Sequence, residues 1–207
     1  MQEIKPTRSE LIKLKKKIEL AYLGHRLLKM KRDGLILEFL RVLKDAWDIR
    51  RQINRDYAIA REKMSMAIAL EGEIPVQSIA YSISRAEGVN IEMRNIMGIL
   101  VPEVEYKPMI KKVDERGYGI IGTSVAVSEA VSAFEKVVED ILRAAEIETT
   151  IKLLIKNIEK TKRRVNALEF KVIPDLHAIE TFITMRLDEL ERENIFRLKK
   201  IKAKGRA

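Results

Sequence analysis

The 207 residues are enough for one globular domain or for a single extended element, and the composition favours the second: 34% charged, 5% aromatic, and dominated by Leu, Ile, Ala, Glu, Lys and Arg. The absence of cysteine excludes disulfides and thiolate metal sites, and no apolar run approaches the roughly 20 residues a membrane helix needs. The net charge of +9 is uneven: residues 1–32 carry ten Lys/Arg against three acids, residues 160–207 carry thirteen against seven, and the middle is net acidic.

The opening "MQEIKPTRSE" lacks the apolar core of a secretory signal, so a soluble intracellular chain is expected, with a lean towards a thermophile in its Lys/Glu/Arg/Ile usage. Thr7-x-x-Glu10 is a capping box that starts a first helix. From Leu11 through Leu14, Ile18, Ala21, His25, Leu28, Arg32, Leu35, Phe39, Val42, Ala46, Ile49 and Ile53, steps of three and four alternate as a heptad seam. Tyr57, Ala60, Met64 and Ala67 then follow after one extra step of four, a stutter.

Beyond Gly72, "IPVQSIAYSIS" suggests a short helix after Pro75, and alternation around Ile91, Met93 and Val104 predicts a hairpin with strands near 89–94 and 99–106. Thr123 or Ser124 caps a second long helix, whose stripe runs from Val127 through Val165, Leu168, Val172, Leu176, Ile179 and Ile183 to Leu190. Neither long helix buries its stripe alone. The expectation is a mainly α fold: a long antiparallel two-helix coiled coil formed by the N- and C-terminal helices, with a small middle cap containing a short helix and a β-hairpin. Its parts are the helix 7–71, the cap 72–122, the helix 123–203 and a tail 204–207, with both basic termini at one tip.

"GYGIIG" at 117–122 matches a dinucleotide fingerprint, but no buried strand precedes it and no βαβ alternation follows, so glycines entering a capped helix explain it better. His25 and His177 have no metal-ligand spacing, and the carboxylates lie on solvated faces; no enzyme activity, cofactor or metal is expected. A second stripe, Ile36, Leu40, Leu43 and Trp47, runs beside the first seam, and Phe170 and Ile173 do the same on the second helix. Two strands of a coil cannot cover these residues, so they form an expected partner patch.

"PTRSELIKLKKKIELAYLGHRLLKMKRD" (6–33), "GTSVAVSEAVSAFE" (122–135) and "RRVNALEFKVIPDLHAIETFITMRLDELERENIFRLKKIK" (163–202) together resemble the D subunit of the archaeal A-type and vacuolar V-type rotary ATPases. The resemblance implies a non-catalytic central rotor shaft, one copy per complex, on the cytoplasmic side of the membrane. Its termini would sit inside a hexamer of A and B subunits that hold the ATP sites. Its hairpin end would face the F and C stalk subunits, and through them the membrane ring. Torque would pass between the hexamer and H⁺ or Na⁺ movement; the ion is set by ligands in the ring.

On that reading Arg8, Lys13, Lys15, Lys16, Lys17, Arg197, Lys199, Lys200 and Lys202 contact the hexamer lining, and Ile91, Met93, Ile96 and Met97 contact the stalk subunits. The rivals are a prefoldin-like chaperone, which would need exposed apolar residues at its tips, and a coiled-coil nucleic-acid-binding arm, which would need interleaved aromatics. The tips read as Lys/Arg-rich, which counts against the first, and lack interleaved aromatics and any recognition fold, which counts against the second, so nucleic acid is not expected as a partner. Pro174 is expected to kink a continuing helix whose stripe keeps its phase. With Arg8 level with about residue 200, Pro174 would face Gly34 and form a compliant waist.

Overall fold

The computed structural model describes residues 6–83, 89–105, 116–118 and 123–204. The elements in chain order are α1 (Arg8–Glu71), α2 (Glu73–Ser82), β1 (Asn90–Ile96), β2 (Ile99–Glu105), α3 (Val125–Ala167), a π-helical turn (Leu168–Val172) and α4 (Ile173–Lys204). The chain divides into two compact units, one comprising 1–34 with 158–207 and the other 35–157. The fold is mainly α, with long N- and C-terminal helices paired antiparallel and a short helix and two-stranded hairpin between them.

In the first unit, α1 begins at Thr7, whose Oγ1 accepts from the amide of Glu10 at 3.2 Å. The reciprocal half of the capping box is replaced, because the Glu10 carboxylate accepts from Lys13 Nζ at 2.8 Å. Leu14 and Ile18 of α1 are buried with Ile183 of α4, flanked by Leu11, Leu176, Ile179 and Leu187. The rungs descend in antiparallel order: Arg8 with Glu191, Tyr22 with His177, and His25 with Glu169.

This register corrects two expectations. Arg8 lies level with Glu191 rather than residue 200, so α4 runs on to Lys204 past the start of α1, about 20 Å of helix. The rungs either side of Pro174 meet α1 at Tyr22 and His25. Pro174 is therefore displaced from Gly34 by about 15 Å along the helix, more than a heptad, and the two form no common waist.

In the second unit, Gln52, Asp56 and Lys63 of α1 meet Asp140, Lys136 and Glu129 of α3, again antiparallel. At one end Ala67, Val76, Val127 and Ala130 bury each other, which seats α2 against both long helices. Gly72 makes the turn into α2 with φ 91°, a conformation L side chains avoid, and its amide bonds the carbonyl of Ile68 at 2.8 Å. α2 starts at Glu73, so Pro75 stands inside its first turn, where a missing amide costs nothing. Glu71 accepts from the amide of Ser124 and so caps the α3 start.

The hairpin pairs Ile91 with Val104, Met93 with Pro102 and Ile96 with Ile99. Its loop is Met97 and Gly98, both at positive φ (51° and 83°), the two-residue turn that matches strand twist. Asn95 Oδ1 accepts from the Gly98 amide at 2.7 Å and holds that turn. Tyr106, expected in the second strand, lies outside the described residues, as do residues 119–122 of "GYGIIG".

Candidate functional site

The α4 extension beyond Glu191 carries Arg197, Lys199, Lys200 and Lys202 on the same single helix as Ile195, Phe196, Leu198 and Ile201, all exposed. Phe196 is 75% exposed, so the Lys/Arg-rich tip, expected to lack exposed apolar and interleaved aromatic residues, carries both. Exclusion of a chaperone on that ground alone therefore fails. Three of the nine basic positions are answered within the chain: Arg8 by Glu191, Lys13 by Glu10 and Arg197 by Glu193. Lys15, Lys16, Lys199, Lys200 and Lys202 are exposed and carry no ion pair among the described residues, and Lys17, also exposed, acts on Glu10 only as a weaker charge behind Lys13. Sequence reading missed the apolar residues because a heptad count does not show where the opposite helix ends.

The helix continues through Pro174, but not in phase. Ile173 donates its amide to the carbonyl of Leu168, five residues back, so a π turn inserts one extra residue ahead of the proline. Ile173, expected on the surplus stripe, is consequently buried in the seam, and Val172, expected in the seam, is exposed. Pro174 cannot bond the carbonyl of Phe170. Glu169, Phe170 and Pro174 are all exposed, so water can serve the carbonyls this lesion frees. Both histidines flank the turn: His25 Nε2 is 3.4 Å from Glu169 Oε2, and His177 lies 3.0 Å from the Tyr22 hydroxyl and 3.2 Å from Glu180.

On the second unit, Ile36, Leu40 and Trp47 are exposed and Leu43 is half-buried, as an uncovered stripe requires. Leu43 and Trp47 border a groove of about 690 Å³ between α1 and α3, with Ile53, Ala144, Ile147 and Ile151 among its walls. The hairpin separates its faces by alternation: Ile99 and Val101 are buried on one, while Ile91, Met93 and Leu100 are exposed on the other. Of the four hairpin residues singled out from sequence, Ile91 and Met93 share that open face and Met97 is exposed at the turn. Ile96 lies on the face of Ile99 and is half-buried. Leu100 belongs to the open face and was missed, although its cross-strand position follows from the turn.

Two polar clusters lie inside this unit. Asp140, 3% exposed, accepts from Gln52 Nε2 at 3.0 Å, and the neighbouring Asp56 sits 3.1 Å from Lys136 Nζ. Burial and the hydrogen bond with Asp56 push the Asp140 carboxyl above the ordinary range, while the hydrogen bond from Lys136 holds Asp56 below it. Arg116 is buried and donates to the Ser128 carbonyl at 3.1 Å, to Ser132 Oγ at 2.8 Å and to Glu135 at 2.9 Å, which fixes residues 116–118 on α3. Sequence reading missed both, because single charged residues look solvated until the partner helix is placed.

Among the described residues no group of three or more His, Asp or Glu is arranged to hold a metal ion, and no helix is long and apolar enough to cross a membrane. Paired helices with uncovered apolar stripes, a basic and apolar tip and an open hairpin face define a protein of contact surfaces. The family model for the ATP synthase D subunit matches residues 10–203. Full-length relatives are the A-type ATP synthase D subunits of Methanoregula boonei, 53% identical over 205 residues (99% of this chain, 98% of the relative), and of Methanococcoides burtonii, 54% over 201 (97% and 98%). That of Archaeoglobus fulgidus is 49% identical over 205 residues, covering 99% of this chain and 98% of its own. The chain belongs to the family of ATP synthase D subunits.

Proposed function

We propose that this chain is the central rotor shaft of an A-type ATP synthase, non-catalytic itself, carrying torque between a hexamer of A and B subunits and the membrane ring. The observation that carries the reading is the α4 extension past Glu191, where exposed basic and apolar side chains share one helix that is unpartnered among the described residues. Such a tip suits a bearing: exposed ion pairs are worth only about 0–1 kcal/mol each, so they exchange from one neighbour to the next as the shaft turns. The hairpin face of Ile91, Met93, Met97 and Leu100 serves the F and C stalk subunits, and the stripe of Leu40 and Trp47 serves a further neighbour. The association with the membrane is peripheral, on the cytoplasmic side, through the ring.

The test is to mix the purified chain with purified A and B subunits. One chain per hexamer and altered ATP turnover are expected. A hexamer that forms and turns over identically with and without the chain overturns the reading.

A further inference from the structure

The two edges of the hairpin are not equivalent. The two-residue loop makes Ile96 and Ile99 the pair that exchanges backbone hydrogen bonds, and alternation follows along the ladder. The amides and carbonyls of Ile91, Met93 and Asn95 therefore point outward from β1, and those of Leu100, Pro102 and Val104 outward from β2. The β2 edge is closed twice over: Pro102 has no amide, and the Val104 amide donates to Glu146 of α3 at 3.3 Å. The β1 edge carries neither device, and among the described residues nothing pairs with it.

The side chains on β1 say which strand would fit. Glu92 stands directly opposite Glu103 in the register, a like-charge pair that destabilises a ladder. Arg94, 3.4 Å from Glu103, answers only one of them. A strand suited to this edge places a cation against Glu92, an anion against Arg94, and apolar groups beside Ile91 and Met93. β1 itself, "NIEMRNI", meets both charge requirements when reversed and sets Met93 against Met93, with Ile91 facing Asn95. Centred on Met93, an antiparallel copy sets Glu92 against Arg94 of the second copy and Arg94 against its Glu92, as an isologous two-fold contact requires.

We infer that β1 is a strand-addition edge on which a second copy of this chain pairs, antiparallel and centred on Met93, giving a four-stranded sheet in the unassembled protein. The surface is small beside the roughly 1,200 Å² of a standard stable interface, so pairing is expected at chain concentrations on the order of 100 μM.

Sedimentation of the full-length chain between about 10 and 500 μM should show reversible dimerisation, with amide exchange slowing at Ile91, Met93 and Asn95 as concentration rises. Glu92→Arg and Arg94→Glu should each weaken the dimer about tenfold, since each creates two like-charge contacts, and the double variant should recover most of the loss. Met93→Pro removes an outward amide and should abolish dimerisation. Exchange at Glu92, Arg94 and Ile96, whose amides face β2, shows whether the hairpin survives in each variant. A chain that stays monomeric at about 500 μM with its hairpin intact overturns the inference, and so does a double reversal that fails to rescue. Protection of these amides only after F and C subunits are added also overturns it, because another protein's strand then owns the edge. None of these outcomes bears on the shaft reading, which is tested on the hexamer.

Discussion

Ile173 donates its amide to the carbonyl of Leu168, and this five-residue step decides which of two adjacent β-branched residues enters the seam. An α-helical continuation would have buried Val172; the π turn buries Ile173 and turns Val172 outward. Ile173→Ala should therefore cost about 2–4 kcal/mol, as for any large-to-small change in a packed site. Val172→Ala should cost under about 0.5 kcal/mol, as for an exposed position. Urea titrations of the two variants decide it, and equal losses would mean that the phase runs unbroken through Pro174.

The period of the apolar residues made the long helices, their antiparallel pairing and the hairpin legible, because burying a stripe or a strand face admits few arrangements. At 172 and 173 the same signal is ambiguous: both residues are apolar, so a stripe through either looks continuous. Register failed for a related reason. A heptad seam fits its partner at every seventh residue, and what selects one fit is specific rungs such as Tyr22 with His177, which composition does not reveal. Ile195, Phe196, Leu198 and Ile201 continue the helical sequence without interruption; they are exposed only because α1 has already begun opposite Glu191.

The Asp56 and Asp140 rung gives stability a two-sided pH dependence. Asp140 is raised, so its contribution is present below the ordinary carboxylate range and is lost as pH rises through its folded value. Asp56 is lowered, so its contribution is present above the ordinary range and is lost as pH falls through its folded value. Asp140→Asn supplies a neutral group that can still accept from Gln52 and can donate to Asp56. At pH 7 it should stabilise by about 1 kcal/mol and flatten the loss on the alkaline side of the carboxylate range. Asp56→Asn should instead destabilise, because it strands Lys136. Thermal melts from about pH 3 to 8 test both, and a destabilising Asp140→Asn would show that the buried carboxylate is wanted charged.

Gly72 holds φ 91° between α1 and α2, with Pro75 Cδ 3.8 Å from where a Cβ would stand. Space is sufficient, so the penalty for Gly72→Ala is conformational: about 1–2 kcal/mol for placing an L residue in that region. The loss should appear as faster amide exchange in α2 around Val76, whose packing on Ala67 and Val127 depends on the turn. An alanine variant with unchanged melting and unchanged exchange would refute the need for glycine.

The tip should divide its binding energy by kind. Lys199, Lys200 and Lys202 lie beyond the start of α1 without ion-pair partners among the described residues, so reversing them to Glu should leave melting of the free chain unchanged. Binding to the A/B hexamer should weaken about tenfold at low salt, a difference that shrinks as the screening length falls towards about 3 Å at 1 M. Phe196→Ala and Ile201→Ala should also spare the free chain, since both side chains are exposed there, yet weaken hexamer binding equally at both salt concentrations. Titrating the variants into the hexamer at two ionic strengths separates the charged from the apolar contribution. Apolar variants that bind like the parent chain would confine the bearing to its charges.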